Sequence, residues 1–213
     1  DVWKEAESEF RARTLPSAAT RYGVWWHEFA QSIPWRSPPG DWQVAFEQTV
    51  LDSPNPARSK REWKLLSEHV AANRDFFAGN ILAEMPFFWR MEQHKCLEGI
   101  IDLALFHAAE KKWFILDWKT NRIKPHEIGK LGAHYRPQIA AYWKGIAEMT
   151  KQPVGAGIYS TATGRLFIYD EGELAEEWER LKTVAADQFA AEINRDEANE
   201  SREPFGQLEF GRW

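Results

Sequence analysis

The chain has 213 residues, of which 44% are hydrophobic and 14% aromatic, and its formal net charge at pH 7 is −5. This length and apolar content suffice for one sizeable buried core, and the single cysteine, Cys96, excludes an internal disulfide. No apolar run approaches the ~20 residues that span a bilayer, and the first residues are not typical of a signal peptide. We therefore expect a soluble, cytoplasmic protein without a membrane partner.

The first 80 residues predict mainly helices. Apolar periodicity predicts a helix over Ala18–Ser32, which carries His27, and a second helix over Lys60–Phe77. Five prolines between residues 33 and 59 predict a mostly irregular segment, with a short helix through Trp42–Leu51.

Strands and helices alternate in the rest of the chain. A strand over 81–90 precedes a hairpin of two apolar runs, Ile100–Phe106 and Trp113–Lys119, joined by the polar turn His107–Lys112. The later elements are a loop over 121–132, a helix to about Thr150, strands over Val154–Ser160 and Arg165–Tyr169, and a long acidic helix over about 172–195. This order predicts an α/β fold.

The hairpin places three charged side chains at one point. Side chains alternate faces along a strand, so Asp117 and Lys119 point the same way while Trp118 points into packing. A turn symmetric about residues 109 and 110 sets Asp102 opposite Asp117, with Cβ atoms roughly 5 Å apart. Two carboxylates at that distance repel each other unless a cation lies between them.

The Asp-x-Lys triplet has a simpler explanation as well. Such triplets are common at strand ends and are usually exposed ion pairs. The preceding run Phe114–Leu116 is typical of a buried strand, and burial of Asp117 beside it without a partner would be costly. A metal ion would supply that partner.

Four ordered elements resemble the RecB-like nucleases, a branch of the PD-(D/E)XK superfamily. Gly99-Ile100-Ile101-Asp102 is similar to the Gly-x-x-Asp element of that family, and Ile115-Leu116-Asp117-Trp118-Lys119-Thr120 is similar to its Asp-Tyr-Lys-Thr strand. Residues 135–142 resemble the downstream Gln-x-x-x-Tyr helix, and residues 23–27 resemble the helix with the family's histidine ligand. The resemblance implies a restriction-endonuclease-like α/β core, with a central mixed sheet flanked by helices.

The resemblance also implies a set of site residues. The catalytic residues would be Asp102, Asp117 and Lys119, and the metal ligands would be His27, Asp102, Asp117 and the backbone carbonyl of Trp118. Supporting or substrate-binding residues would be Gln138, Tyr142, Arg136 and Glu84. The implied cofactor is Mg²⁺, which prefers oxygen ligands, with Mn²⁺ also possible because a histidine favours a softer ion.

Two of these assignments have alternatives. His27 could be a half-buried core histidine of a Trp-rich helix, and Glu84 could be an ordinary edge-strand carboxylate. Gln138 and Tyr142 share one helix face at i, i+4. Pro137 predicts that this helix begins just before Gln138, because proline is tolerated in a first turn.

Relatives with an iron–sulfur cluster use four cysteines to hold it. This chain has one cysteine, so we expect no such cluster here.

What the resemblance implies for function is a magnesium-dependent deoxyribonuclease similar to exodeoxyribonuclease V. Its substrate would be DNA, in the form of single-stranded ends in double-strand-break repair and recombination. The chain lacks a Gly-x-x-x-x-Gly-Lys-Ser/Thr loop, so it carries no nucleotide-driven motor, and its first residue is Asp rather than Met. We expect residues 1–213 to be a single nuclease domain, with its core at about 18–170, excised from a longer polypeptide. A helicase motor in that polypeptide, and possibly a second subunit, would be its partners.

Charge is unevenly distributed along the chain. Residues 119–151 contain seven Lys or Arg and two Glu, a balance of +5, whereas residues 170–200 contain eleven acidic and three basic residues, a balance of −8. This asymmetry predicts a basic cleft beside the metal and an acidic helix facing away from it.

Two other functional classes stay open at this point. One is a catalytically silent nuclease-fold module that binds DNA or scaffolds a complex. The other is an unrelated α/β interaction domain whose acidic C-terminal helix is the working surface. A zinc protease is excluded, because a His-Glu-x-x-His helix starting at His27 would need histidine where Gln31 stands.

Overall fold

The computed structural model describes residues 16–91 and 96–194. Three helices come first: α1 (Ala18–Ser32), α2 (Pro39–Thr49) and α3 (Pro56–Ala72). They are followed by β1 (Asn80–Arg90), β2 (Cys96–His107), β3 (Lys112–Lys119), α4 (Ile128–Thr150), β4 (Val154–Ser160) and β5 (Arg165–Ile168). Two helices end the described part, α5 (Glu171–Leu181) and α6 (Ala186–Ile193).

The described strands form one mixed sheet in the order β1-β2-β3-β4-β5. β3 and β4 are parallel, and the other neighbouring pairs are antiparallel. A parallel pair needs a crossover connection, which α4 supplies between β3 and β4.

Helices cover both faces of the sheet. On one face, aromatic residues of α1, α2 and α3 pack against Leu103, Leu116 and Trp118. On the other, α4, α5 and α6 pack against Ala104, Ile115 and Ile158. Alternating residues of β3 therefore serve different cores, and Asp117 and Lys119 lie on the α4 face. The predicted central mixed sheet flanked by helices is confirmed.

Several local predictions are confirmed. The first helix spans Ala18–Ser32, as the apolar periodicity indicates. Leu103 pairs with Leu116 in the hairpin, which is the register of a turn symmetric about residues 109 and 110. The strand predicted over Val154–Ser160 is β4 with the same bounds.

The helices before the sheet differ from the prediction. The short helix predicted through Trp42–Leu51 is present as α2, but it begins three residues earlier, at Pro39, and ends at Thr49. α3 begins at Pro56 rather than Lys60 and ends at Ala72. Both helices have a proline at their first position, where the missing N–H costs nothing. Asn55 also caps α3, because its side chain accepts a hydrogen bond from the Arg58 amide at 3.1 Å.

The prediction that the helix of Gln138 begins at Pro137 is wrong, because α4 already begins at Ile128 and has Pro137 in its interior. An interior proline costs a helix about 3 kcal/mol. Burial of Leu131, Tyr135 and Ile139 on one face of α4 offsets this cost. The Tyr169 hydroxyl also donates to the Gly132 carbonyl at 2.8 Å, in the turn before the proline.

The long acidic helix predicted over 172–195 is two helices, α5 and α6, with Arg195 outside the described residues. Ala185 between them is extended, with a ψ of 154°. An unbroken helix would carry Ile193 about 18 Å beyond Leu181, whereas both residues pack in the α4 core. The break lets the chain turn back, and Arg180 of α5 then pairs with Glu192 of α6.

No helix in residues 16–91 or 96–194 has the length and apolar character that a membrane crossing requires.

We predict a large difference between two Leu→Ala substitutions on the α1–α3 side. Leu66 is 1% exposed and Leu51 is 80% exposed. Leu66→Ala should lower the free energy of unfolding by about 2–5 kcal/mol, because it leaves a cavity in the core, and Leu51→Ala by less than about 0.5 kcal/mol. Urea denaturation of both variants measures this, and equal losses would contradict the packing described.

Candidate active site

The sheet forks at the predicted site. β2 and β3 pair from His107 opposite Lys112 as far as Leu103 opposite Leu116. Beyond that point β2 continues beside β1 and β3 continues beside β4. Asp102 and Asp117 are the first residues past the last pair, so both lie where the two strands separate. The predicted pairing of Asp102 directly opposite Asp117 is therefore wrong, because β2 and β3 diverge at this point.

The carboxylate of Asp102 bridges the two arms of the fork. Its Oδ2 accepts the backbone N–H of Trp118 at 2.6 Å, which satisfies a donor that the sheet no longer pairs. Its Oδ1 lies 3.2 Å from Nδ1 of His27 on α1. Asp102 is 8% exposed, and its two oxygens join β2, β3 and α1 at one point.

Glu84 faces Asp102 from the neighbouring strand. Ala83 pairs with Leu103 and Met85 pairs with Ile101, so Glu84 lies opposite Asp102. The φ of Glu84 is +48°, which costs a residue other than glycine of order 1–3 kcal/mol and is typical of functional sites. Burial and the charge of Asp102 raise the pKa of Glu84 above its ordinary value, while His27 opposes the shift.

His27, Glu84 and Asp102 form the described group that could hold a cation. Each offers a ligand atom, and these atoms lie within 4.8 Å of one another. The donors are two carboxylates and one imidazole, a set that suits Mg²⁺ or, more closely, Mn²⁺. The residues present therefore fit one divalent ion.

The charge on His27 reflects the same cluster. Burial disfavours the imidazolium, but the negative charge of Asp102, the hydrogen bond to it and the charge of Asp117 outweigh burial and raise the pKa of His27 to about 9. In the metal-free protein at neutral pH, the protonated imidazole thus supplies the positive charge that the carboxylates require.

Lys119 is held on the face of β3 that packs against α4. Its Nζ lies 2.7 Å from Oδ2 of Asp117 and 3.0 Å from Oε1 of Gln138, and 3.8 Å from the centre of the Tyr135 ring. Lys119 is 2% exposed. The carboxylate, the amide and the aromatic face together hold a buried ammonium in one position.

The structure brings some of the predicted site residues into contact and leaves others outside the three-residue group. His27 and Asp102 meet directly, and Gln138 contacts Lys119. Asp117 is outside the three-residue group but close enough to His27 to raise its pKa. The ligand roles of Asp117 and of the Trp118 carbonyl therefore stay predictions.

Tyr142 and Arg136 both lie on α4. The Tyr142 ring packs edge-on against Phe87, with a centroid distance of 5.3 Å, next to Gly99 under the β1–β2 arm. A Cβ atom at Gly99 would lie 2.8 Å from the Phe87 ring and 3.1 Å from the Tyr142 ring, so the glycine permits this packing. Arg136 is partly buried on α4, and its Nε has no hydrogen-bond partner among the described residues.

Two residues matter more than the sequence indicates. Glu84 belongs to the three-residue group with His27 and Asp102, although the sequence places it only among the supporting residues. Tyr135 holds Lys119, and its hydroxyl donates to Asn121 at 3.1 Å. Glu84 is among the supporting residues that the RecB-like resemblance implies, whereas the resemblance of residues 135–142 assigns no role to Tyr135.

The predicted basic cleft is only partly present. Lys144 and Lys151 both pair with Glu148, at 2.6 Å each, and Lys119 is buried. Apart from Lys151, the exposed basic side chains of this segment are Arg122, Lys124 and Lys130, near the start of α4. The charge count overestimates the basic surface because it ignores pairing within the segment.

A cavity of about 260 Å³ adjoins the three-residue group. Its lining belongs to α1 and β1 and includes His27 and Glu84 of the group, with Gly23, Val24, Glu28 and Gln31. The cluster is therefore open to a ligand from the α1 side.

The family model of the PD-(D/E)XK nuclease superfamily matches residues 5–207, and the chain belongs to this superfamily. Among solved structures, the crystal structure of the "putative exonuclease" of Eubacterium rectale is similar in fold, with a TM-score of 0.53 and 11% sequence identity over 88% of this chain and 72% of that one. No curated protein gives a significant match. The predicted restriction-endonuclease-like α/β class is thereby confirmed.

We predict that Asp102 controls the protonation of His27. NMR titration of the His27 ring in chelator-treated protein should give a pKa of about 9, and Asp102→Asn should lower it because burial then acts with less opposition. Asp41→Asn, on exposed α2 surface, is the control and should leave it unchanged.

The same pair sets a pH dependence of stability in the metal-free protein. A pKa raised from 6.5 to about 9 means that the contribution is fully present below pH 6.5 and is lost as the pH rises through 9. Asp102→Asn should flatten this part of the stability profile, and an unaltered profile would contradict the ion pair.

Proposed function

We propose that this protein is a metal-dependent DNA nuclease of the RecB-like branch. The observation that carries the proposal is the cluster of His27, Glu84 and Asp102 at the fork, beside the Asp117–Lys119 pair. Membership of the PD-(D/E)XK nuclease superfamily supports hydrolysis of a phosphodiester by this cluster.

The cofactor in this proposal is one divalent ion, Mg²⁺ or Mn²⁺, held by His27, Glu84 and Asp102, with Asp117 and the Trp118 carbonyl as further candidates. Such an ion polarises a phosphodiester and lowers the pKa of water. Asp102 is already fixed for ligation by the Trp118 amide. His27 must lose its proton to become a ligand, so cation binding and deprotonation of His27 are coupled.

Lys119 contributes positive charge that does not depend on the cofactor. Its Nζ is fixed by Asp117, Gln138 and Tyr135. We propose that it offsets negative charge that develops on the phosphoryl oxygens and orients the attacking water, because a preorganised charge in a dry site costs no rearrangement during reaction.

The substrate we propose is the end of a DNA single strand. Support comes from the β1–β2 arm, which leaves the fork next to Glu84 and Asp102 and carries exposed apolar side chains. Phe88 is 58% exposed and Ile100 is 51% exposed, and both lie on the face opposite Phe87 and Leu97, which pack against α4. Phe88 lies four residues along β1 from Glu84, about 13 Å at ~3.3 Å per residue, and an exposed aromatic ring there can stack on an unpaired base.

The biological setting we propose is exonucleolytic processing of ends in double-strand-break repair. A helicase motor in the same polypeptide would feed the strand, with or without a second subunit. The resemblance of residues 23–142 to RecB-like nucleases supports this setting, and the similarity in fold to a protein titled "putative exonuclease" supports the exonucleolytic mode.

The nuclease activity is tested on linear single-stranded DNA with Mg²⁺ or Mn²⁺. We expect cleavage that EDTA abolishes, and Asp117→Asn and Lys119→Ala should each lower the rate by about 100-fold or more, because each removes charge at the reacting phosphate. Lys64→Ala, an exposed lysine paired with Glu68 on α3, is the control and should retain full activity.

Binding without cleavage by the parent protein would favour the catalytically silent module instead. Absence of both binding and cleavage would favour the interaction domain. Cleavage that survives EDTA would contradict metal dependence.

We predict that Phe88 contributes to single-strand binding. Phe88→Ala should raise KM for single-stranded DNA about fivefold or more, since stacking on one base is worth about 1–3 kcal/mol, and should leave kcat nearly unchanged. Ile168→Ala is the matched control, because Ile168 has the same 58% exposure on β5. An equal KM for the two variants would exclude Phe88 as a stacking residue.

A further inference from the structure

A buried charged cluster lies between α1, α3 and the end of β3. Arg58 is 5% exposed, Glu62 4% and Tyr22 2%. Nε of Arg58 donates to Oε1 of Glu62 at 2.6 Å, and the Tyr22 hydroxyl donates to Oε2 of the same carboxylate at 2.9 Å. The Arg58 guanidinium also lies 3.7 Å above the Tyr22 ring.

Arg58 also binds the strand that carries Lys119. Its Nη2 donates to the backbone carbonyl of Thr120 at 2.5 Å, immediately after Lys119. One guanidinium therefore contacts a carboxylate of its own helix, an aromatic ring of α1 and the first residue after β3.

Through these contacts Arg58 links α1, which carries His27, to the end of β3, which carries Asp117 and Lys119. Tyr22 lies five residues before His27 on α1, and Thr120 lies three residues after Asp117. The three-residue group needs α1 and the fork at a fixed separation, since His27 and Asp102 are on different elements and only 3.2 Å apart.

A gain in stability does not by itself account for this cluster. Burial of an ion pair costs desolvation that its attraction often fails to repay, and apolar residues of similar volume frequently serve stability as well or better. An apolar replacement, however, supplies no hydrogen-bond donors with a fixed direction. The planar guanidinium presents donors in a rigid fork and stacks on aromatic rings, and lysine can reproduce neither feature.

We infer that Arg58 is a positioning residue of the candidate active site, which fixes α1 against the end of β3 and so sets His27 in register with Asp102 and Lys119. The inference rests on the proposed function for its effect on cleavage, but the placement of His27 is a property of the chain itself.

The test combines Arg58→Lys with Tyr22→Phe. Arg58→Lys keeps the charge and loses the forked contacts, and Tyr22→Phe removes only the hydroxyl that binds Glu62. We expect Arg58→Lys to lower kcat on single-stranded DNA at least tenfold with KM within about twofold, to weaken Mn²⁺ binding, and to shift the His27 ring resonance at fixed pH in chelator-treated protein. Tyr22→Phe should move the same three readouts in the same direction by a smaller amount.

Two controls separate positioning from stability. Arg36→Lys changes an exposed arginine that binds Asn80 and should alter none of the readouts. Leu181→Ala destabilises the α4 core, where Leu181 is 1% exposed, and should retain kcat and the His27 resonance at temperatures where the protein is folded.

An Arg58→Lys protein that is folded, with kcat within twofold of the parent and an unshifted His27 resonance, would overturn the inference; if Arg58→Lys does not fold, Tyr22→Phe decides by the same criteria. A parent protein without nuclease activity would refute the proposed function, and the His27 resonance and Mn²⁺ affinity would still decide the role of Arg58.

Discussion

The carboxylates of Asp102 and Glu84 lie so close together that they need a positive charge beside them. This need determines the geometry of the candidate site. At the fork between β2 and β3, Asp102 takes the Trp118 amide with one oxygen and faces His27 with the other, while Glu84 approaches from β1. In the metal-free protein the imidazolium of His27 supplies the charge. A divalent ion is a stronger partner for the same oxygens, so the proposed chemistry is an exchange of a proton for a metal ion.

The parts of this arrangement that depend on local pattern were predictable from the sequence. Strand alternation places Asp117 and Lys119 together, and the hairpin length sets the register that brings Asp102 to the fork. The apolar period of residues 18–32 gives the bounds of α1. These features follow from one or two neighbouring elements, so no knowledge of the whole fold is needed.

Other parts depend on contacts between elements distant in sequence. Burial of one face of α4 carries the helix through Pro137, and the shared core folds α6 back beside α5. Glu84 reaches the cluster through a positive φ that its strand pattern does not indicate. Arg58 and Glu62 are i, i+4 on an amphipathic helix, a spacing typical of an exposed pair, and only the packing of α1 and β3 around them makes the pair buried.

Anomalous diffraction from crystals grown with Mn²⁺ tests the central claim most directly. The account predicts one strong peak within about 2.3 Å of ligand atoms from His27, Glu84 and Asp102, and loss of that peak in Asp102→Ala crystals. A protein that binds no Mn²⁺ at the fork, or a peak that His27 and Asp102 do not ligate, would contradict the account.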